Sequence, residues 1–349
     1  MNVNAIIDRY KRQRSRQQLR SSCKGEYAFV GVGGHSTANL YPILDYLHVP
    51  LKYICCNTPE KVPLIERKWR GVHATTALCD VLSDKDIKGV FVSASPSAHF
   101  GIAKQVLEYG KSLFVEKPPC LSSGELIQLI QEERAGTSPV IMVGMQKRHA
   151  PATRLLAGRL RKDRPRTYNL RYLTGLYPEG DELSDLFIHP LDYVTWLFGK
   201  AELKGCESLR EYGGLTLQLL LRHKDVCGLL ELSTAYSWTN AHESLTVNTR
   251  KGVYELIQME NLRFSLKQGQ VRGIPLEKVF RRNTVTEFLF FRNNFVPTTL
   301  NNQLYTQGYF NEIESFVEAV EKNSPLKQPA GFSTMADTYE LIDCIRERI

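Results

Sequence analysis

The stretch Tyr27-Ala28-Phe29-Val30-Gly31-Val32-Gly33-Gly34-His35-Ser36 places an apolar run directly before a glycine-rich turn, and helix-like residues 37–47 follow it. Such a turn between a strand and a helix presents backbone N–H groups to a diphosphate at the start of the helix. Ser36 replaces the third glycine of the usual G-x-G-x-x-G pattern, so an ordinary tight turn is an alternative on this motif alone. The candidate diphosphate-binding residues are Gly31, Gly33, Gly34, His35 and Ser36.

Short apolar runs alternate with helix-like segments downstream of this stretch. Strands of this kind, separated by helices, are typical of a parallel, doubly wound sheet of the Rossmann type. Ligands of such sheets bind beyond the carboxyl ends of the strands. The predicted strands lie at 51–56, 89–95, 112–115 and 140–143, and the predicted helices at 61–70, 100–109 and 121–133.

Polar or proline-stiffened segments follow three of these strands. They are Ser95-Pro96-Ser97-Ala98-His99, Glu116-Lys117-Pro118-Pro119 and Gly144-Met145-Gln146-Lys147-Arg148. Lys117 lies between a predicted buried strand and two prolines. Two interpretations of Lys117 remain possible: a functional lysine in a fixed position, or a solvated surface lysine. The sequence therefore predicts a ligand site at this edge of the sheet.

From about residue 165 the chain carries strand-like runs with few intervening helices, which predicts an open, mainly antiparallel sheet. The apolar runs Leu215–Leu221 and Phe288–Phe291 are predicted to be buried strands, and helices are expected at 183–198, 309–322 and 334–348. The fold class is thus α/β plus α+β. The predicted domains are a basic arm at 1–24, a Rossmann domain at 25–147 and a substrate domain at 148–349, whose last helix packs back on the Rossmann domain.

The charge of the chain is concentrated at its start. The 349 residues carry a net charge of +8, and residues 1–24 hold seven bases and one acid, which leaves +2 for the rest. A broad nucleic-acid surface is therefore not indicated. The arm could contact RNA, an acidic lipid surface or a partner chain, and it is similar to a transit peptide. We favour an amphipathic helix whose Ile6, Ile7 and Tyr10 dock on the body.

The remaining composition excludes several classes of protein. No apolar run approaches the roughly 20 residues that a bilayer requires, so the protein is not expected to span a membrane. The eight cysteines include no C-x-x-C pair and no Cys/His cluster with zinc spacing, so no metal is expected. With no apolar secretory segment, these features predict a cytoplasmic protein.

The predicted helix 183–198 places Asp185, His189 and Asp192 at offsets of four and seven residues. At 100° per residue, the two later side chains are displaced by only about 40° and 20° from the first. A carboxylate one turn from an imidazole fixes its tautomer and raises its basicity, as a general acid or base near neutral pH requires. A structural histidine on a polar helix face is the alternative.

The order of these motifs resembles the glucose-fructose oxidoreductase, inositol dehydrogenase and rhizopine catabolism (Gfo/Idh/MocA) family of NAD(P)-dependent oxidoreductases. The resemblance covers roughly residues 26–260, with an extension through 309–322, and Glu-Lys-Pro followed by Asp-x-x-x-His carries it. Relatives of this kind place the substrate against the open sheet and dimerise through it. The resemblance therefore implies a homodimer or homotetramer that uses the C-terminal sheet and takes a small-molecule substrate.

The resemblance also implies residue roles. Lys117 would hydrogen-bond the reacting oxygen, and His189 would donate or accept its proton. Asp185 would orient His189 for this proton transfer or share in it, and Asp192 would be a supporting carboxylate. The implied substrate-binding residues are thus Lys117, Asp185, His189 and Asp192. The implied cofactor contacts are the glycine turn at the diphosphate, Ser95, Pro96 and His99 at the ribose and nicotinamide, Glu116 and Lys117 at the pocket edge, and Gln146 and Arg148 after the last strand.

The segment after the second strand indicates the cofactor. Rossmann domains that prefer NAD carry an acid there, which accepts hydrogen bonds from the ribose 2′-hydroxyl. This chain has Cys56 or Asn57 at that place, and Asn57, Thr58 and Lys61 could contact a 2′-phosphate. The sequence favours NADP over NAD, although a shifted loop would bring Glu60 to the ribose.

The substrate is less defined. Relatives commonly carry glycines shortly before Asp-x-x-x-His, whereas residues 177–182 read Tyr-Pro-Glu-Gly-Asp-Glu. The expected reaction is hydride transfer between nicotinamide and a secondary alcohol or carbonyl carbon of a sugar-like molecule. An imine or tetrapyrrole reductase and a non-catalytic dinucleotide-binding regulator are the alternatives, and the joint presence of Lys117, Asp185 and His189 favours an enzyme.

Overall fold

The structure is a computed structural model that describes residues 3–18, 23–136, 138–279, 285–292 and 302–349. The chain divides into two compact units. The first unit comprises Met1–Cys120, Gly124–Gly144 and Glu312–Ser333, and the second comprises Leu121–Ser123, Met145–Asn311 and Thr334–Ile349.

The helices and strands have the following bounds. The helices are α1 (Val3–Gln18), α2 (Tyr41–Tyr46), α3 (Val62–Lys68), α4 (Leu78–Ser83), α5 (Pro96–Glu108), α6 (Ser123–Ala135), α7 (Pro151–Leu160), α8 (Ile188–Phe198), α9 (Gln303–Thr306), α10 (Tyr309–Lys322) and α11 (Ala336–Arg346). The strands are β1 (Glu26–Val30), β2 (Leu51–Cys55), β3 (His73–Thr75), β4 (Ile87–Val92), β5 (Ser112–Glu116), β6 (Ile141–Gly144), β7 (Pro165–Leu173), β8 (Glu202–Glu211), β9 (Gly214–Arg222), β10 (Cys227–Ser233), β11 (His242–Thr249), β12 (Gly252–Ile257), β13 (Asn261–Leu266), β14 (Gln270–Val271), β15 (Ile274–Pro275) and β16 (Thr286–Phe291).

The first unit is built on a six-stranded parallel sheet with the order β3-β2-β1-β4-β5-β6. Residues 27–30 of β1 are buried, as expected for a strand covered on both faces. The predicted Rossmann architecture is therefore confirmed. The sequence did not predict β3, because a strand of three residues gives no periodic signal.

The segment after the antiparallel domain returns to the first unit. The ring of Phe316 on α10 lies 5.2 Å from Phe91 on β4 and 5.8 Å from Phe114 on β5, centre to centre. The N–H of Val143 on β6 donates to the carbonyl of Ala330 at 2.8 Å. Residues 312–333 thus cover this sheet, whereas α11, which we expected there, belongs to the second unit.

The second unit contains an eight-stranded sheet in the order β16-β13-β12-β11-β7-β10-β9-β8. Strands β7 and β10 pair in parallel and the other described pairs are antiparallel, so the prediction of a mainly antiparallel sheet is confirmed. The strand predicted at Phe288–Phe291 is present as part of β16, but the prediction that it is buried is wrong. Phe288 and Phe291 are 60% and 64% exposed, because β16 is the edge strand and, among the described strands, pairs with β13 alone.

The basic arm forms the predicted helix as α1, but Ile6, Ile7 and Tyr10 are exposed. The expected docking of these side chains on the body is therefore not observed. Residues 1–2 and 19–22 of the arm lie outside the described residues, as do residues 280–284 and 293–301. Within the described part of the chain, no helix has the length and apolar character needed to cross a bilayer.

Candidate functional site

The first unit contains a cavity of about 460 Å³ at the carboxyl ends of its strands. The glycine turn, the segment after β2 and the segment after β4 line it, as the sequence predicts. The predicted residues found in the lining are Gly31, Gly33, Gly34, His35, Ser36, Asn57, Lys61 and Ser95.

Gly31 brings the turn against the end of β4. Its φ is +109°, and a Cβ there would lie 2.0 Å from the carbonyl oxygen of Ser93. By contrast, a Cβ on Gly33 or Gly34 would meet nothing within 4 Å. The open space above these two backbones, at the start of a helix, fits the diphosphate of a dinucleotide.

Ser36 closes the turn from within. The N–H of Gly33 donates to Ser36 Oγ at 3.0 Å, and the hydroxyl returns a hydrogen bond to the Gly33 carbonyl at 3.1 Å. A π-helical turn at Ser36–Leu40 then leads into α2. The hydroxyl therefore stabilises the turn where the usual pattern has a third glycine.

The segment after β2 supplies the polar end of the cavity. Asn57 and Lys61 line it, and Lys61 Nζ lies 3.4 Å from the carbonyl oxygen of Val32. Thr58, by contrast, donates its hydroxyl to Asn57 Oδ1 at 2.8 Å and does not line the cavity. No carboxylate belongs to the described lining, and Glu60 lies outside it.

His99 does not line the cavity, contrary to the expectation that it faces the ribose and nicotinamide. It is buried; Nε2 accepts a hydrogen bond from the N–H of Ala94 at 3.1 Å, and Nδ1 lies 2.8 Å from the carbonyl oxygen of Pro118. Burial lowers the pKa of His99, so the ring is neutral with its proton on Nδ1. His99 therefore ties the turn after β4 to the segment that carries Lys117. Pro96, the first residue of α5, also lies outside the described lining.

His35 connects the glycine turn to the end of β5. Its Nε2 lies 3.4 Å from Oε1 of the buried Glu116, and Asn39 Nδ2 lies 3.1 Å from its Nδ1. The N–H of Lys117 donates to the other carboxylate oxygen of Glu116 at 3.3 Å. Glu116 thus contacts both the predicted diphosphate turn and the backbone of the predicted catalytic lysine, which is half-buried at the carboxyl end of the sheet.

In the second unit, the predicted helix 183–198 begins as a π-helical turn. Asp185 lies within that turn, Glu182–Phe187, and His189 lies on α8; both are buried. Because a π-helical turn closes i→i+5 rather than i→i+4 hydrogen bonds, the predicted 40° displacement of the two side chains does not apply. The sequence pattern gave no signal for this widened turn.

The start of this turn is held from two sides. Asp181 accepts a hydrogen bond from the N–H of Ser184 at 3.0 Å and forms an ion pair with Arg346 of α11 at 2.5 Å. Arg346 also donates to the Ser184 hydroxyl. Asp181 is therefore an N-cap that α11 holds in place.

Gly180 makes room for the Asp185 carboxylate. A Cβ on Gly180 would lie 1.8 Å from Asp185 Oδ2 and 3.5 Å from the ring of Tyr177. Burial and, second, the Asp185 charge raise the pKa of Tyr177. Residues 177–180, which depart from the relatives' glycine pattern, therefore pack around the carboxylate that the sequence singles out.

Arg148 and Asp192 have a different place from the one expected. Both are almost fully buried, and two guanidinium nitrogens of Arg148 donate to the two carboxylate oxygens of Asp192. Arg148 also donates to Thr334 at 2.8 Å, and the Thr338 hydroxyl donates to Asp192 at 3.2 Å. This pair joins three segments inside the second unit, so we assign it a structural role instead of cofactor and substrate contacts.

Gln146 is likewise buried, and its side-chain amide donates to the Tyr309 hydroxyl at 3.2 Å.

A second buried ion pair was not predicted. Lys147 Nζ lies 2.5 Å from Glu243 Oε1 and 4.6 Å from the ring centre of Tyr172. The two partners are 96 residues apart and share no motif, so the sequence contained no signal for their contact.

Among the described residues, no group of three or more His, Cys, Asp or Glu side chains could hold a metal ion.

Comparison with known proteins adds to this geometry. Residues 26–145 match the model of an oxidoreductase family with an NAD-binding Rossmann fold, GFO_IDH_MocA. An uncharacterized oxidoreductase, YhhX, from Escherichia coli is 34% identical over 32% of this chain and 34% of its own length. An inositol 2-dehydrogenase from Salmonella paratyphi B is 24% identical over 35% of this chain and 38% of its own length. The alignment thus spans about a third of the length of these curated relatives.

Solved structures match over nearly the whole chain. A dehydrogenase from Chromobacterium violaceum superposes with a TM-score of 0.77 at 19% identity, over 93% of this chain and 94% of the other. An Agrobacterium radiobacter oxidoreductase in complex with NAD+, L-tartaric acid and magnesium gives 0.74 at 13% identity, over 93% and 96%. These structures confirm the predicted fold, and the family-model match confirms the predicted resemblance over residues 26–145.

The asymmetry of the glycine turn gives the first prediction. We expect Gly31→Ala to lower the free energy of unfolding by about 2 kcal/mol or more, because alanine is strained at positive φ and its Cβ meets the Ser93 carbonyl. Gly33→Ala should leave the melting temperature unchanged but weaken NADPH and NADH binding at least tenfold by filling the diphosphate space. Thermal melts measure the stability of the two variants, and fluorescence titrations measure their dinucleotide affinity. An unchanged dinucleotide affinity in Gly33→Ala would contradict the assignment of the glycine turn to the binding site.

The buried pair gives the second prediction. Asp192→Ala should lower the free energy of unfolding by about 3–5 kcal/mol, because it leaves the Arg148 guanidinium buried without its carboxylate. Glu231→Ala, which breaks the exposed pair with Arg171 in the same unit, is the control and should cost about 1 kcal/mol or less. Urea unfolding followed by circular dichroism compares the two. Equal losses would contradict the structural role of Asp192.

Proposed function

We propose, on the premise that residues 26–145 belong to the Gfo/Idh/MocA oxidoreductase family, that the chain is an NAD(P)-dependent oxidoreductase acting on a sugar-like molecule. It would transfer a hydride between nicotinamide and a secondary alcohol or carbonyl carbon. The observation that carries the proposal is the cavity of the first unit, where open space over Gly33 and Gly34 is linked through His35 and Glu116 to Lys117.

The residues divide the work as follows. The bound nicotinamide supplies or accepts the hydride, so the protein has to orient the substrate and move one proton. Lys117 provides positive charge where an alkoxide develops. His189 donates or accepts the proton of the same oxygen, and Asp185 orients the imidazole. Gly180 carries no Cβ and so leaves the space that the Asp185 carboxylate occupies.

We propose NADP as the preferred cofactor. The described lining includes no carboxylate that would repel a 2′-phosphate, and it includes the side chains of Lys61 and Asn57, which could contact one. The ammonium of Lys61, near the Val32 carbonyl, offers a cation to it. The Agrobacterium neighbour is solved in complex with NAD+, so the proposal of NADP rests on this chain's own residues after β2 alone.

We also propose a homodimer or homotetramer that uses the open face of the eight-stranded sheet. Leu220 on β9 and Leu229 on β10 are directly paired across the two strands, and both are exposed. Adjacent exposed leucines on a sheet face favour contact with a second apolar surface. Sedimentation equilibrium of the purified chain measures the oligomeric state.

The cofactor assignment gives the third prediction. NADPH should bind at least tenfold more tightly than NADH in titrations followed by nicotinamide fluorescence. Lys61→Gln should weaken NADPH binding about tenfold by removing a cation at the 2′-phosphate, a change of about 1.4 kcal/mol, and leave NADH binding within twofold. Asn57→Asp should reverse the preference by placing an acid there.

Lys85→Gln removes an exposed lysine that does not line the cavity and should change neither affinity. Tighter binding of NADH than of NADPH by the unaltered chain would contradict the NADP assignment while leaving the Rossmann site intact.

The catalytic roles give the fourth prediction. Lys117→Ala and His189→Ala should each lower turnover by about 100-fold or more, because a positioned acid or base contributes that much. Dinucleotide affinity should stay within several-fold. The assay screens cyclitols and sugars with NADP+ and their keto forms with NADPH, and follows nicotinamide absorbance.

Lys162→Ala, an exposed lysine in the second unit, is the control and should retain full turnover. If turnover survived in both the Lys117 and His189 variants, the assigned roles would be wrong. Tight dinucleotide binding without turnover of any alcohol, carbonyl or imine would favour the non-catalytic regulator.

A further inference from the structure

Helix α1 presents an apolar stripe to solvent. Ile6, Ile7 and Tyr10 are 51%, 43% and 62% exposed. At about 100° per residue, the three side chains lie within an arc of about 100° on one side of the helix. The three side chains therefore form one stripe over residues 6–10, and the first unit leaves this stripe exposed.

Cations border this stripe on both sides. On the same helical projection, Arg9 lies about 60° from Ile6 on one side and Lys11 about 40° from Ile7 on the other. Arg12 lies on the far face, and its Nε donates to the carbonyl of Asp8 at 3.3 Å. Side chains of this kind can reach past an apolar surface and keep their charged ends at its polar boundary.

The charge around this stripe is mainly positive. Residues 1–24 carry seven bases and one acid, whereas the rest of the chain has a net charge of only +2. The excess positive charge is thus concentrated in the segment that also carries the exposed stripe. A helix with an apolar face and a basic polar face is typical of segments that lie in a membrane interface.

We propose that α1 binds the surface of a bilayer that contains anionic phospholipids. Ile6, Ile7 and Tyr10 would enter the boundary between headgroups and acyl chains, while Arg9 and Lys11 contact lipid phosphates. Each base near such a surface adds to the attraction, and a stripe of three side chains supports reversible binding rather than insertion. A polyanion such as RNA would use the bases and leave the stripe in water, so the stripe favours lipid.

This inference takes up an alternative that the sequence leaves open for the arm, contact with an acidic lipid surface, instead of the favoured docking of the stripe on the body. It is independent of the proposed oxidoreductase activity, since the residues involved lie in the arm. Failure of either proposal would leave the other intact.

The test is co-sedimentation of the full chain with vesicles. One set of vesicles contains phosphatidylcholine with about 30% phosphatidylglycerol, an anionic lipid. The chain should bind these vesicles at least tenfold more tightly than vesicles of phosphatidylcholine alone. Raising the salt concentration should weaken this binding. Ile6→Ser with Tyr10→Ser, which keeps every charge, should weaken it at least fivefold, and Arg9→Glu with Lys11→Glu should abolish it.

Lys85→Glu with Lys162→Glu is the control, because it changes the net charge equally at exposed positions outside the arm and should reduce binding less than twofold. Circular dichroism and thermal melts verify that each variant is folded. The proposal is overturned if no anionic vesicles are bound at low salt. It is equally overturned if the Ile6 and Tyr10 substitutions leave vesicle binding unchanged, or if poly(U) RNA binds more tightly than the vesicles and is indifferent to those substitutions.

Discussion

The close approach of the Gly31 backbone to the Ser93 carbonyl is the constraint on which the first unit's cavity depends. A side chain at Gly31 would separate the glycine turn from the end of β4, and the φ of +109° excludes most L-residues as well. With the turn held there, Gly33 and Gly34 face open space instead of protein. The same placement brings His35 to Glu116, whose other oxygen accepts a hydrogen bond from the N–H of Lys117. One backbone contact thereby sets both the diphosphate end of the cavity and the link to the predicted catalytic lysine.

The second unit depends on buried charge of a different kind. Arg148 and Asp192 are desolvated together, which is costly unless each donor and acceptor is satisfied. Thr334 and Thr338 complete that satisfaction, and they bring the start of α11 against α8. Arg346, at the other end of α11, holds the Asp181 cap of the π-helical turn. Helix α11 therefore contacts the helix that carries His189 near one end and the turn that carries Asp185 near the other.

The sequence predicts the layered architecture well, because apolar runs and glycine turns report burial and chain reversal directly. The strands around β1, the glycine turn and the antiparallel sheet all follow from such local signals. Arg148, Asp192 and His99 were misplaced because a polar residue after a strand or on a helix has the same local pattern whether it faces a ligand or a buried partner. The Lys147–Glu243 pair, the room over Gly180 and the π-helical turn depend on tertiary contacts that no spacing encodes. Orientation of side chains, rather than position along the chain, is what the sequence leaves open.

The charges around the Asp185 turn bear on what the second unit can recognise. Arg346 is paired with Asp181, Arg210 lies 3.7 Å from Glu182, and Lys147 is paired with Glu243. These three cations are engaged by carboxylates of the protein, so an anionic substrate would have to compete with those carboxylates for them. The Asp185 carboxylate lies beside Gly180, and the pKa of Tyr177 is raised by burial and, second, by the charge of this carboxylate. In the proposed function, this carboxylate would act on the imidazole of His189 in the same helical segment. On the proposed function, a neutral polyhydroxylated substrate would therefore meet less competition from the carboxylates that engage the three cations than a phosphorylated or carboxylated one.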